Sequence, residues 1–309
     1  MRKFLYTFLH ILSAPFRFFL WLWQGIYGWL LNLSQEIKIF FTEEVEDAPL
    51  PDTLIKTMEN PQELLVHFDA LRKHLVRIVI VLGIATALSF IFNNQILQIL
   101  AAPLENGFDS LIAIDVTEPI GTVMRVSLLT GVAIAFPYIA LELWLFIAPG
   151  LKRNSRYYGL LAIPITTIFF LGGMAFAYFV MLPTALPFLL NFGGINTIPR
   201  VSSYTKFVTN IMFWLGVAFE FPIVIFILAS LGLVSAKTLA QHWRLAVVII
   251  AIIAALITPT VDPVNMALVM GPLILLYILS IGLAKIAQRG KVDQTQKESL
   301  NTQSMEEKT

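Results

Sequence analysis

Six stretches of this chain, residues 75–92, 120–148, 159–182, 207–231, 245–257 and 264–284, carry almost no charge. A helix needs roughly 20 apolar residues to cross the hydrocarbon core of a bilayer. Most of these stretches come close to that length or exceed it. The second is long enough to project beyond the lipid, and residues 245–257 fall short. None alternates apolar and polar residues as the strands of a membrane barrel do. Helices, which satisfy their own backbone groups, are the remaining solution. The sequence therefore predicts an all-α polytopic membrane protein of six spans. The short fifth span requires local thinning of the bilayer or shelter by its neighbours.

Composition supports this and narrows the chemistry. Of 309 residues, 57% are hydrophobic and 13% charged, with a mean hydropathy of +0.78. The formal net charge of +1 gives no basis for nucleic-acid binding driven by overall charge. The chain has no cysteine, so disulfides, thiol catalysis and thiolate zinc sites are excluded. The four histidines form no metal-binding pair, and no P-loop, dinucleotide fingerprint or nucleophile elbow occurs. Neither a catalytic site, a metal nor a cofactor is expected. The pattern is that of a path or receptor in a membrane, not an enzyme.

The chain divides into three regions: 1–60, 61–290 and 291–309. In the first, Lys3, His10, Arg17 and Gln24 recur every seven residues within an apolar run, one polar stripe on a helix. An amphipathic helix lying in the interface fits. A signal peptide or a seventh, membrane-embedded span remains open. Residues 42–63, acidic and bearing Pro51 and Pro61, read as a linker. Residues 61–73 read as a short amphipathic helix leading into the first span. The polar tail beyond Gly290 lacks aromatic residues and is expected to be disordered.

Lys and Arg placement sets the orientation. Arg72, Lys73 and Arg77, then Lys152, Arg153 and Arg156, then Lys237 and Arg244, then Lys285, Arg289 and Lys291 fall on one side. The opposite loop 93–119 has no Lys or Arg but carries Glu105, Asp109, Asp115 and Glu118. Both termini are thus expected in the cytoplasm. The other outer loops hold Arg200 and Asp262, and the one after the third span also contains Pro183 and Pro187.

Glu220 is the sharpest candidate. It lies well inside an apolar span, where an ionised acid costs roughly 2.5–3.5 kcal/mol on insertion scales. Such a group must face a partner, a wet cavity or a proton. It is either a neutral acid packing one helix on another or a functional contact. Pro222, two residues on, removes a backbone donor and allows a bend beside it. Pro137 is expected to kink the second span in the same way. Glu118 and Arg125 are two helical turns apart and suggest a weak surface pair. Glu142 is expected to snorkel to water or meet Arg153. Trp144, Trp214 and Trp243 are expected as interfacial anchors.

The stretches HFDALRKHL (67–75), TEPIGTVMR (117–125), ELWLFIAPGL (142–151), GMAFAYFVMLP (173–183), GVAFEFP (216–222) and ALITPTVD (255–262), in this order, resemble the TatC family. The resemblance covers about residues 61–286. It implies a cup-shaped bundle of six transmembrane helices with short fifth and sixth spans. It further implies export of folded proteins bearing twin-arginine signal peptides, driven by the proton gradient. Expected partners are small single-span TatA/TatB-type subunits, the lipid bilayer and further copies of the chain. The setting would be the inner (plasma) membrane of a cell. The resemblance assigns Glu220, with Pro222, to docking a partner helix. It places a signal-peptide face at Asp69, Arg72, Lys73, Pro149, Gly150, Lys152 and Arg153. Glu118, Arg125 and Asp262 match an outer-side motif of the family type.

The sequence also departs from the family. Two cytoplasmic glutamates that the family uses to read paired arginines correspond here to Ala70 and Ser155, and a third expected in the last span is Ser280. Carboxylates suit arginine because the charge-assisted bidentate pair is strong and planar. Asp69 is offset from the first position by one residue, about 100° around a helix. Glu63 and Glu142 are candidate replacements, but nothing in the sequence places them at that face. Two readings follow: a translocase core that binds signal peptides, and a divergent paralogue kept as a structural or assembly subunit. A proton channel built on Glu220 lacks companion polar groups in the other spans.

Overall fold

The computed structural model describes residues 61–306, apart from short gaps at 105–106, 148–152, 192–193, 195–196 and 259–262. The proposed amphipathic helix of residues 3–33, the acidic linker up to residue 60, and Pro149, Gly150, Lys152 and Asp262 lie outside the described residues. The chain forms two units, Met1–His67 with Leu145–Gly159, and Phe68–Trp144 with Leu160–Thr309. The described backbone of the first is helical at residues 61–67, 145–147 and 153–159. The side-chain geometry below belongs to the second.

The described chain is almost entirely helical: α1 (Pro61–Ile91), α2 (Asn93–Ala101), α3 (Glu118–Ile147), α4 (Arg153–Phe176), α5 (Leu182–Leu190), α6 (Val201–Phe219), α7 (Phe221–Leu231), α8 (Ala236–Gln241), α9 (Trp243–Ile257) and α10 (Pro263–Glu306). Five helical segments are long and apolar enough to cross a membrane: Phe68–Ile91, Glu118–Ile147, Ala162–Leu190, Val201–Ser230 and Pro263–Gln288. Helix α9, with 15 residues, reaches only about 22 Å against a core of about 30 Å. It is the short fifth span expected from the sequence. Exposed side chains such as Ile91, Ile168, Leu256 and Leu275 give the spans an apolar outer surface, suited to lipid.

Several boundaries differ from the sequence reading, each for a local reason. The amphipathic lead and first span are one helix, because no Pro or turn pair interrupts residues 62–91. The third span passes through a π turn at Ala177–Met181 and continues as α5. Pro183 and Pro187 therefore lie in helix, not in a loop. Pro183 sits in the first turn of α5, where a missing N–H is tolerated. Helix α3 runs on through Pro137. In the acidic loop, residues 93–101 form α2 and Gly107–Ser110 a 3₁₀ turn. The polar tail continues α10 as helix to Glu306.

Small residues set the close crossings. A β-carbon on Gly131 of α3 would lie 2.4 Å from Thr86 Oγ1 and 2.8 Å from Thr86 Cα of α1. Phe136 of α3 stacks on Phe170 of α4, centroids 3.9 Å apart. Gly173 of α4 meets Gly216 of α6. Such small-residue contacts let helix backbones approach where lipid supplies no hydrophobic drive. The main core centres on Phe170, Leu182, Val208, Ile211, Leu215 and Val269. Ile225 and Ala229 of α7, Ala236 of α8 and Ala284 of α10 form a smaller cluster.

Hydrogen bonds close the helix ends. The last carbonyls of α2 have no partner within their own helix. Tyr204 Oη donates to Leu100 O at 2.7 Å and Tyr178 Oη to Ile99 O at 2.6 Å. Gly232, at φ 83°, ends α7 in the left-handed conformation that favours glycine. Ser235 Oγ caps α8 by accepting from Thr238 N at 3.0 Å. Tyr277 Oη donates to Leu239 O, and Ala236 N to Gln288 Oε1, tying α8 to α10.

Candidate functional site

Glu220 occupies the single residue between α6 and α7. The break is built by sequence. Pro222 is fully buried and has no N–H to continue the α6 ladder. The Glu220 carbonyl accepts instead from Ile223 N and Val224 N, both at 3.0 Å, which starts α7. The helix is interrupted at the acid by this single residue, which keeps helical φ −72° and ψ −21°. Gly216, one turn earlier, would bring a β-carbon within 2.9 Å of the Phe170 ring, so this face of α6 looks onto α4. The Glu220 side chain is half-buried; its Oε1 is buried with no hydrogen-bond partner among the described residues, while the Phe170 backbone lies beside the carboxyl group. An unmet acceptor of this kind costs about 1–3 kcal/mol.

At the basic end, α1 presents Asp69, Arg72 and Lys73, all exposed. Asp69 Oδ2 pairs with Lys73 Nζ at 3.0 Å, an i,i+4 contact within the helix. The carboxylate that could answer a basic ligand is therefore partly occupied by its own neighbour. Ala70, one residue on, is half-buried and offers no carboxylate. Arg153 begins α4.

Glu142 departs from expectation. It does not snorkel to water: it is wholly buried on α3. Tyr138 Oη, one turn earlier, donates to its Oε1. His74 Nδ1 of α1 lies 2.5 Å from Oε2, and Arg77 Nη1 lies 3.8 Å from the same oxygen. The cluster joins the basic ends of α1 and α3. A sequence signal existed, since Tyr138 and Glu142 are one turn apart and His74 and Arg77 share a helix face. Nothing in the sequence paired the two helices. Trp144 is likewise buried, at 7% exposure, not an interfacial anchor. Trp214 and Trp243 are exposed at 45% and 54%.

At the acidic end the expected Glu118–Arg125 pair is replaced. Glu118, 8% exposed, pairs with Arg200 at the start of α6, and Arg125 lies on the exposed surface of α3. Two turns of helix separate 118 from 125 by about 10 Å, whereas the loop carries Arg200 directly to the acid. Glu118 Oε2 also accepts from Ile114 N at 3.1 Å. Ile112 N donates to Pro199 O and Val201 N to Ile112 O, bridging the two acidic-end loops. Ser280, where the family resemblance implies an acid, is buried and donates to Leu276 O at 2.7 Å. Among the described residues, no three His, Cys, Asp or Glu side chains gather in a way that could hold a metal.

Comparison with known proteins agrees with this architecture. The family described as Sec-independent protein translocase protein (TatC) matches residues 66–272. A Carboxydothermus hydrogenoformans protein of that name is 34% identical over 74% of this chain and 94% of its own length. The Aquifex aeolicus protein is 33% identical over 74% of this chain and 97% of its own length. The chloroplastic protein of Pisum sativum is 30% identical over 84% of this chain and 75% of its own length. A crystal structure of the twin-arginine translocase receptor TatC superposes with a TM-score of 0.65 at 34% identity, covering 72% of this chain and 99% of that one. With its helices in the same fold and its sequence matched across most of the described residues, this multi-pass membrane protein belongs to the TatC family, the receptor subunits of the twin-arginine, Sec-independent protein translocase.

Proposed function

We propose that this chain exports folded proteins carrying twin-arginine signal peptides, using the proton gradient, and that Glu220 docks the helix of a small single-span TatA/TatB-type subunit. In this reading the basic end faces the cytoplasm of a plasma (inner) membrane, with both termini there, and several copies act within one complex. The observation that carries the docking claim is the buried, unpartnered Oε1 of Glu220 at the break between α6 and α7. A hydrogen bond from a polar group on an incoming helix satisfies that oxygen. In a membrane such a bond is worth about 1–2 kcal/mol, enough to set register and still be reversed. Signal-peptide contact is assigned to Asp69, Arg72 and Lys73, and, on the family resemblance, to Pro149, Gly150, Lys152 and Arg153. Glu118, Arg125 and Asp262 belong to the outer side.

The experiment compares Glu220→Gln with Glu220→Ala by co-purification of the small subunits. Gln keeps a carbonyl acceptor and should retain most of the partner, while Ala should lose it. Equal recovery with both variants and wild type would remove the docking claim.

One observation favours a second reading. Asp69 is held by Lys73, and Ala70 offers no carboxylate. A divergent paralogue that assembles with the translocase without reading arginines fits this. It differs from the first reading in having no preference for arginine over lysine in the signal.

A further inference from the structure

Glu142 is the most deeply buried acid among the described residues, and the docking role proposed for Glu220 does not use it. It is wholly buried, yet it faces two basic side chains of α1, His74 at 2.5 Å and Arg77 at 3.8 Å. Those residues stand on the helix that carries Asp69, Arg72 and Lys73. His74 is next to Lys73 in sequence, and Arg77 is one turn beyond it. Measured along α1, Arg77 lies about 12 Å from Asp69. The fixed charges on this stretch of α1 are Asp69 against Arg72, Lys73 and Arg77. Taken alone, that surface is cationic and would repel a dibasic ligand.

The Glu142 carboxylate changes the balance from behind. It offsets Arg77 from the neighbouring helix without exposing itself to a ligand. Its depth matters, because a charge removed from water is screened less than one at the surface. The Tyr138 hydroxyl donates to Oε1 of the same carboxylate, so the group has a fixed position.

We infer that Glu142 is a positioning and charge-balancing residue: through its contacts with His74 and Arg77 it orients the basic end of α1 and lowers the positive potential at the Asp69–Lys73 surface, so that a dibasic signal peptide can approach. This rests on the reading that this surface of α1 meets such a peptide. Glu142 itself does not touch the ligand.

The test uses the full chain in lipid nanodiscs with a labelled twin-arginine signal peptide and its twin-lysine variant. Glu142→Gln keeps an acceptor for Tyr138 and His74 but removes the charge. It should bind both peptides about tenfold more weakly at low ionic strength. The loss should shrink in a few hundred millimolar salt, and the melting temperature should stay near wild type. The double variant Arg77→Gln, Glu142→Gln restores the fixed charge and should recover most of the affinity, which a purely packing role does not allow. Wild-type affinity in the single variant, or no recovery in the double, overturns the inference. A wild-type chain that binds both peptides equally instead rejects the arginine-reading role and leaves the charge effect to be judged on their shared affinity. A wild-type chain that binds neither overturns both.

Discussion

Gly173 and Gly216 face each other where α4 crosses α6. A β-carbon on Gly173 would lie 2.6 Å from the Leu215 carbonyl oxygen and 2.9 Å from Gly216 Cα. Neither backbone atom can step aside as a flexible side chain does. Gly173→Ala should therefore destabilise the bundle by about 1–3 kcal/mol, the usual cost of overpacking. Gly83 of α1 has nothing within 4 Å of its virtual β-carbon, so Gly83→Ala should leave stability unchanged or slightly raised. Thermal melts of the two variants in one detergent provide the comparison. Equal melting temperatures would contradict the close crossing.

Tyr204 and Tyr178 both close the last turn of α2, but in different surroundings. Tyr204 is 5% exposed, and its hydroxyl bond to Leu100 O is buried. Tyr204→Phe should cost about 1 kcal/mol or somewhat more, because it leaves a buried carbonyl unmet. The Tyr178 bond to Ile99 O is exposed, and Ile99 O also accepts from Ala102 N. Tyr178→Phe should therefore cost clearly less. Chemical denaturation of both variants in the same micelles checks the order.

The Glu118 carboxylate holds Arg200 through one oxygen and the Ile114 amide through the other. Glu118→Ala should speed hydrogen exchange at Ile114 and, through the loop bridge, at Ile112 and Val201. Arg200→Ala should loosen the bridge while leaving Ile114 the more protected of the amides. Exchange followed by mass spectrometry on overlapping peptides resolves the two patterns. Unchanged exchange at residues 112–114 in Glu118→Ala would show that the acid does not hold the loop.

Asp69 is exposed and pairs with Lys73 inside one helix. If it also reads a signal peptide, Asp69→Asn should weaken twin-arginine binding by about twofold to fivefold, the range of an exposed ion pair, and reduce the preference over twin lysine. Fluorescence anisotropy with the two peptides measures both. Retention of affinity and preference together would assign the recognition elsewhere.

The sequence revealed the parts of the fold that depend on local chemistry. Apolar length located the spans and singled out the short α9. Pro222 marks the point beside Glu220 where the helix is interrupted for one residue. Boundaries failed where local signals pointed both ways. Pro183 and Pro187 suggest a loop, but a π turn ahead of α5 accommodates the first of them in a new helical turn. The polar partners were the least legible. Glu118 looked towards Arg125 on its own helix and found Arg200 82 residues away. Glu142 looked towards water and found His74 68 residues away. One chain's periodicity says which face a residue occupies, but not which helix covers that face.

The break at Glu220 has a mechanical consequence. Helix α6 is braced on α4 at Gly216, while α7 is braced on α10 through Ile225, Ala229 and Ala284. The acid therefore sits at the junction of two helical segments braced on different neighbours. A polar grip on its side chain, as proposed, would bear on both of these differently braced segments at once.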